Sequence, residues 1–151
     1  MKGIIGVGNP FKGDDGIGVE LVKEIENRGV PSGVKTFEVG SSTFDILHIM
    51  KDLDEVIIID AVRFGADPAE HRFFTVQDVE SLGDSETAHG TDILEILNLS
   101  ENLGERPEKV LVMGIQPKET ELSEEFSQPI KERLPELVEI LQEKVKSFFT
   151  A

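Results

Sequence analysis

Three side chains, far apart in the chain, have the chemistry to share one cation: Asp15, Asp60 and His89. Two carboxylates and an imidazole make a mixed oxygen and nitrogen donor set that suits Zn2+, Ni2+ or a similar borderline ion. Three protein donors leave coordination positions open, as a catalytic or substrate-bridging centre requires. Each residue also has an ordinary structural reading. Asp14 and Asp15 fall at a predicted helix start, where acids cap free N–H groups and complement the helix dipole. With Asp14 as the cap, Asp15 is left to face across a crevice. Asp60 directly follows Ile57-Ile58-Ile59, at the end of a buried strand where an unpaired charge is costly. Such an acid is held by loop amides, by a metal or by a reaction. His89 sits in Ala88-His89-Gly90-Thr91 and draws its weight from the two acids. His48, on a predicted helix face, and His71, opening a strand, read as surface residues.

Bringing these three together is a task for the fold. Short aliphatic runs predict strands over residues 3–8, 34–39, 55–60, 71–76 and 109–115. Between them the hydrophobic period changes to that of helices. Ile17, Leu21, Val22 and Ile25 share one face of a helix that follows Asp15. Thr43 is placed to cap a short helix through Met50, with Phe44, Leu47 and Met50 inward. The polar stretch 78–90 reads as loop, and Thr91 opens a helix carrying Ile93, Leu94 and Leu97. Leu134, Leu137, Leu141, Val145 and Phe148 form the apolar stripe of a long final helix. Pro129 and Pro135 predict that it is entered in two steps or kinked. Strands alternating with helices imply a three-layer α/β fold, an open, twisted, mostly parallel sheet with helices on both faces. Residues 1–151 read as a single domain. Ligands of such sheets bind outside the carboxyl ends of the strands, which is where Asp15 and Asp60 fall.

The bulk properties narrow the partners. With 38% apolar and 30% charged residues the chain is globular in composition. Its net charge of −15 repels phosphate backbones and anionic membranes, so neither nucleic acid nor membrane is an expected partner. There are no cysteines, so any thiolate on a shared metal must come from elsewhere. The longest aliphatic run, residues 56–59, is far too short to span a bilayer, and with no address in the sequence a cytoplasmic location is expected. Gly6-Val7-Gly8 has the start of a dinucleotide fingerprint, but Phe11 stands where the third glycine belongs. Two acids at the helix start would repel a pyrophosphate, and no Gly-Lys-Ser/Thr follows. No nucleotide is expected.

Taken together, several segments resemble the hydrogenase maturation endopeptidases, which process the large subunit of nickel–iron hydrogenases. They are Gly6-Val7-Gly8-Asn9, Asp14-Asp15-Gly16-Ile17-Gly18, the aliphatic strand ending in Asp60-Ala61, His89 ahead of a helix, and Gly114-Ile115-Gln116-Pro117. They span nearly the whole chain in that family's order. The resemblance implies a metal site of Asp15, Asp60 and His89, which would also be the catalytic residues. It implies that the metal is nickel already inserted in the large-subunit precursor, and that a C-terminal peptide is then removed. Many members of the family carry an acid, a glycine and a threonine after the second strand. Here the segment is Glu38-Val39-Gly40-Ser41-Ser42, which departs from that pattern, and Gly40, Ser41 and Ser42 are the substrate-reading turn that the resemblance leads one to expect.

No Ser–His–Asp or Cys–His arrangement is apparent, so peptide hydrolysis would depend on the metal polarising a carbonyl or activating water. Two other functions compete. One is a non-catalytic metal- or nucleotide-binding maturation chaperone. The other is an endopeptidase with an aspartate mechanism and no metal, by distant analogy with spore germination proteases.

Overall fold

The carboxyl ends of the parallel strands converge on the segment after Val7, and the chain is threaded so that they do. In the computed structural model, which describes residues 1–40, 42–82 and 93–149, five strands form one sheet in the order β2-β1-β3-β5-β4. They are β1 (Lys2–Val7), β2 (Val34–Val39), β3 (Glu55–Ala61), β4 (His71–Phe74) and β5 (Lys109–Ile115). β1 pairs parallel with β2 and β3, and β3 parallel with β5. β4 alone runs antiparallel, on the far edge. β2 lies on one side of β1 and β3 on the other, so strand order reverses between β1 and β3. That reversal opens a crevice at their carboxyl ends.

The aliphatic strands are buried on both faces. Ile4, Ile57, Ile59, Met113 and Ile115 contribute to one core layer, and Ile5, Val56, Ile58 and Val112 to the other. The first layer is covered by α1 (Ile17–Arg28) and α5 (Gln128–Phe148), the second by α2 (Thr43–Met50), α3 (Val76–Leu82) and α4 (Ile93–Asn102). The three-layer, mostly parallel architecture expected from the alternation of elements is the one present.

Some local expectations need correction. Ser42, one residue before Thr43, is the N-cap of α2, accepting the Asp45 N–H. Phe44 points outward and is 83% exposed, while Ile46 and Met50 are the buried residues of this helix. Part of the stretch read as loop is α3, opened by a reciprocal cap. Thr75 Oγ1 accepts the Asp78 N–H and an Asp78 carboxylate oxygen accepts the Thr75 N–H, a capping box with Asp in the third position. α5 is one continuous helix. Pro129 is in its first turn, where its missing N–H costs nothing, and Pro135 lies inside it on the exposed side.

Candidate metal centre

Asp15 reaches the crevice because two glycines let the backbone close around it. β1 ends at Val7, and Gly8 takes a φ of +137°; a Cβ there would lie 1.9 Å from the Asp15 carbonyl oxygen. The chain then turns through Asn9 to Lys12 into a 3-10 turn, Gly13–Gly16, that leads directly into α1. Gly18 presses the start of α1 onto the sheet. A Cβ on it would come within 2.2 Å of the Ile59 carbonyl oxygen and 2.6 Å of that of Val7. The helix start is thereby wedged between the ends of β1 and β3, beside Asp60.

Both acids are removed from water: Asp15 is 4% and Asp60 1% exposed. One Asp15 carboxylate oxygen accepts the Asn9 N–H at 2.9 Å. Asp60 Oδ1 accepts the N–H of Ala61 at 2.8 Å. Its other oxygen, Oδ2, is buried and has no hydrogen-bond partner among the described residues. Burial raises the Asp60 pKa well above its ordinary value, the negative charge of Asp15 raises it further, and the Ala61 N–H offsets only part of this. Two buried carboxyls that repel one another, one with an unsatisfied oxygen, fit a bound cation or a retained proton.

The sequence-based set is thus brought together in part. Asp15 and Asp60 meet at the strand-order reversal. His89 and Ser41 lie outside the described residues, and among those residues no group of three His, Asp or Glu side chains converges as a complete cage. Gly40 is exposed at the end of β2. Together with Gly8, Pro10, Val19 and Lys23 it lines a hollow of about 230 Å3 beside the first loop. Ser42 is engaged as the α2 cap.

Asp14 is not the helix cap that its position predicts. It is fully buried, and the turn has no side-chain cap. Its carboxylate instead accepts the N–H groups of Lys118, Glu119 and Ser127 and the Ser127 hydroxyl, at 2.7–3.2 Å. It ties the β5–α5 connection to the first loop. Nothing local announces this, because its partners lie more than a hundred residues away.

Gln116 is a second residue whose part the linear pattern does not assign. It is buried just beyond β5, and its Oε1 accepts the N–H groups of Phe64 (2.8 Å) and Ala66 (3.3 Å). It thus shapes the loop that leaves Asp60. A polar residue immediately after a buried strand is the signal that marks it. His71, expected at the surface, is half-buried. Its Nδ1 lies 2.9 Å from the Arg133 guanidinium, and burial and that charge lower its pKa.

This architecture recurs in known proteins. The HybD hydrogenase-maturating endopeptidase of Escherichia coli superposes with a TM-score of 0.84 at 24% identity, over 97% of this chain and 93% of that one. A Methanocaldococcus jannaschii protein, provisionally named a hydrogenase maturation protease, is 27% identical over 95% of both chains. The HupD hydrogenase expression/formation protein of Bradyrhizobium diazoefficiens is 26% identical over 78% of this chain, which spans only 63% of its length. The family model described as hydrogenase maturation protease matches residues 19–144, a segment that includes Asp60 and begins four residues after Asp15. By that match, over most of its length, the chain belongs to the hydrogenase maturation protease family.

Proposed function

We propose that the chain, a single domain, is an endopeptidase that recognises nickel already seated in a nickel–iron hydrogenase large-subunit precursor and removes that subunit's C-terminal peptide. The observation that carries this reading is the buried Asp15–Asp60 pair, with its unsatisfied oxygen, at the carboxyl edge of the sheet. His89 is the third donor in this proposal. The chain has no thiolate of its own, so its oxygen and nitrogen donors would complete a metal that the substrate holds through sulfur. Nickel is here part of the substrate, and Gly40, Ser41 and Ser42 form the turn that reads the segment around it.

A cation bound between Asp15 and Asp60 would favour both carboxylates in their ionised form and would polarise a nearby carbonyl or water. The chain's own residues supply the remainder. Asp60, with one oxygen held by the Ala61 N–H and the other without a hydrogen-bond partner among the described residues, is placed to hold the cation through that second oxygen. Asp15 is held in place by the Asn9 N–H. Gln116 orders the loop that follows Asp60. The acidic surface and the absence, among the described residues, of a helix long and apolar enough to cross a membrane accord with a reaction on a protein in the cytoplasm.

The test is a processing assay on matched nickel-loaded and nickel-free precursors. Cleavage of the loaded form alone is expected. Equal cleavage of both forms removes metal recognition, and stoichiometric binding without cleavage points to a chaperone. Asp15→Ala, Asp60→Ala and His89→Ala should each abolish processing. Near-normal turnover in any one of them strikes that residue from the site.

A further inference from the structure

The loop after β1 and the connection after β5 are clasped together beside Asp15. Lys12 and Ser123 form an isolated parallel bridge. On either side of it the Ser123 N–H donates to the Phe11 carbonyl and the Gly13 N–H to the Ser123 carbonyl, each at 2.9 Å. The Asp14 N–H donates to the Glu119 carbonyl, also at 2.9 Å, and the Asp14 carboxylate closes the clasp from within through Lys118, Glu119 and Ser127. Two loops that face water do not require so many cross-links to connect their own elements.

The clasp presents two apolar side chains. Its register sets Leu122 next to Phe11, and both face solvent, at 84% and 61% exposure. Single exposed hydrophobic residues are common on protein surfaces. An adjacent pair on braced backbone, beside a candidate active site, is the pattern of an interaction surface. Folding gains nothing from leaving a Phe and a Leu in water, whereas burial against a partner is favourable.

The surroundings decide which partner. Leu122 is bordered by exposed Glu119, Glu121, Glu124 and Glu125, of which Glu125 pairs with Lys131, and Lys12 and Lys118 are the other nearby bases, so acids remain in slight excess. A second copy of this chain would bring the same acids and a further −15 charge against that border. An anionic membrane would be repelled in the same way. Complementarity is met by a protein surface with an apolar hollow edged by Lys and Arg.

We propose that Phe11 and Leu122 are the docking contact for the folded body of the protein substrate, seated in an apolar hollow with a basic border so that the scissile segment reaches Asp15 and Asp60. This rests on the protease reading above. The contact holds the substrate equally in the ground and transition states, so its loss is felt in KM.

The experiment compares the wild-type chain, the double variant F11S/L122S and the control Leu103→Ser on nickel-loaded precursor, measuring kcat and KM separately. Leu103 is 60% exposed but lies between α4 and the start of β5, on the side of the amino ends of the parallel strands. A KM rise of about tenfold or more is expected in the double variant, with most of it recovered by Phe11→Leu in combination with Leu122→Met. Leu103→Ser should match the wild type. An unchanged KM in the double variant overturns the contact. So does an equal rise in Leu103→Ser, or a change confined to sedimentation or to binding of anionic phosphatidylserine vesicles. If the wild-type chain leaves the precursor uncut, the protease reading falls and the contact with it. If the wild type cuts and F11S/L122S cuts equally well, only the contact falls.

Discussion

The buried carboxylate of Asp15 raises the proton affinity of the buried carboxyl of Asp60, across a crevice formed where strand order reverses between β1 and β3. Neither acid comes from the same element, and each is placed by a separate local device. Gly8 and Gly18 close the first loop onto the sheet, and the central strand carries Asp60 to its end.

This coupling has a consequence for stability in the absence of metal. The folded-state pKa of Asp60 lies above its ordinary 3.8, so the folded chain holds a proton that the unfolded chain releases. The resulting stabilisation is complete below pH 3.8 and is lost as pH rises through the raised value. Urea unfolding of the metal-free chain across that range should show this loss. In Asp60→Asn, which has no ionisation there, the contribution should be absent from the profile. Asp15→Asn should move the midpoint of the loss to lower pH, because one of the two causes of the shift is removed.

Asp14→Ala leaves the Lys118, Glu119 and Ser127 donors without their carboxylate. A loss of about 2–4 kcal/mol is expected, in the range for buried charge-assisted hydrogen bonds whose partners are orphaned. Ser127→Ala removes one of the four bonds and should cost about 1 kcal/mol. Amide hydrogen exchange at residues 118, 119 and 127 should speed up in Asp14→Ala well beyond the global change, since the connection after β5 loses its anchor.

Gly18→Ala and Gly40→Ala make a contrasting pair. A Cβ at Gly18 meets backbone carbonyls of β1 and β3, whereas at Gly40 nothing lies within 4 Å. Gly18→Ala should lower stability by about 2 kcal/mol or more, because backbone cannot step aside as a side chain can. Gly40→Ala should remain within about 0.5 kcal/mol of wild type. Thermal melts separate the two. A higher KM for precursor in Gly40→Ala, with an unchanged melt, would support the substrate-reading turn.

The His71–Arg133 contact predicts a weakening on the acid side. Burial, and then the Arg133 charge, depress the His71 pKa below its ordinary 6.5, with Glu136 opposing. The unfolded chain therefore takes up a proton before the folded one does. The contribution of neutral His71 is present above pH 6.5 and lost as pH falls through the depressed value. Urea midpoints at pH 7.5 and 5.5 should differ more in the wild type than in His71→Asn.

Much of this molecule was legible in its linear pattern. Four aliphatic residues from Val56 to Ile59, too many for a strand with one wet face, announced a central parallel strand. The stripe of Ile17, Leu21, Val22 and Ile25 set the buried face of α1, and Asp15 and Asp60 fell at the ends of such elements. The outward turn of Phe44 was not legible. Helical periodicity ranks residues by type, and here the helix start faces solvent, so an apolar residue there gains no burial. The helix α3 was hidden because its seven residues are mostly polar and its cap uses Asp rather than Glu.

What the sequence determined by itself was which side chains have the chemistry and which segments must be buried, because side-chain type and hydrophobic period act over a few residues. Packing across the whole chain, and no local pattern, set Asp14 to brace a connection more than a hundred residues away while its neighbour Asp15 met Asp60. It also decided that Phe11 and Leu122 would stand abreast at the rim. These choices depend on which strand ends lie side by side, and that order is set by packing of the whole sheet, in which β1 receives β2 on one side and β3 on the other.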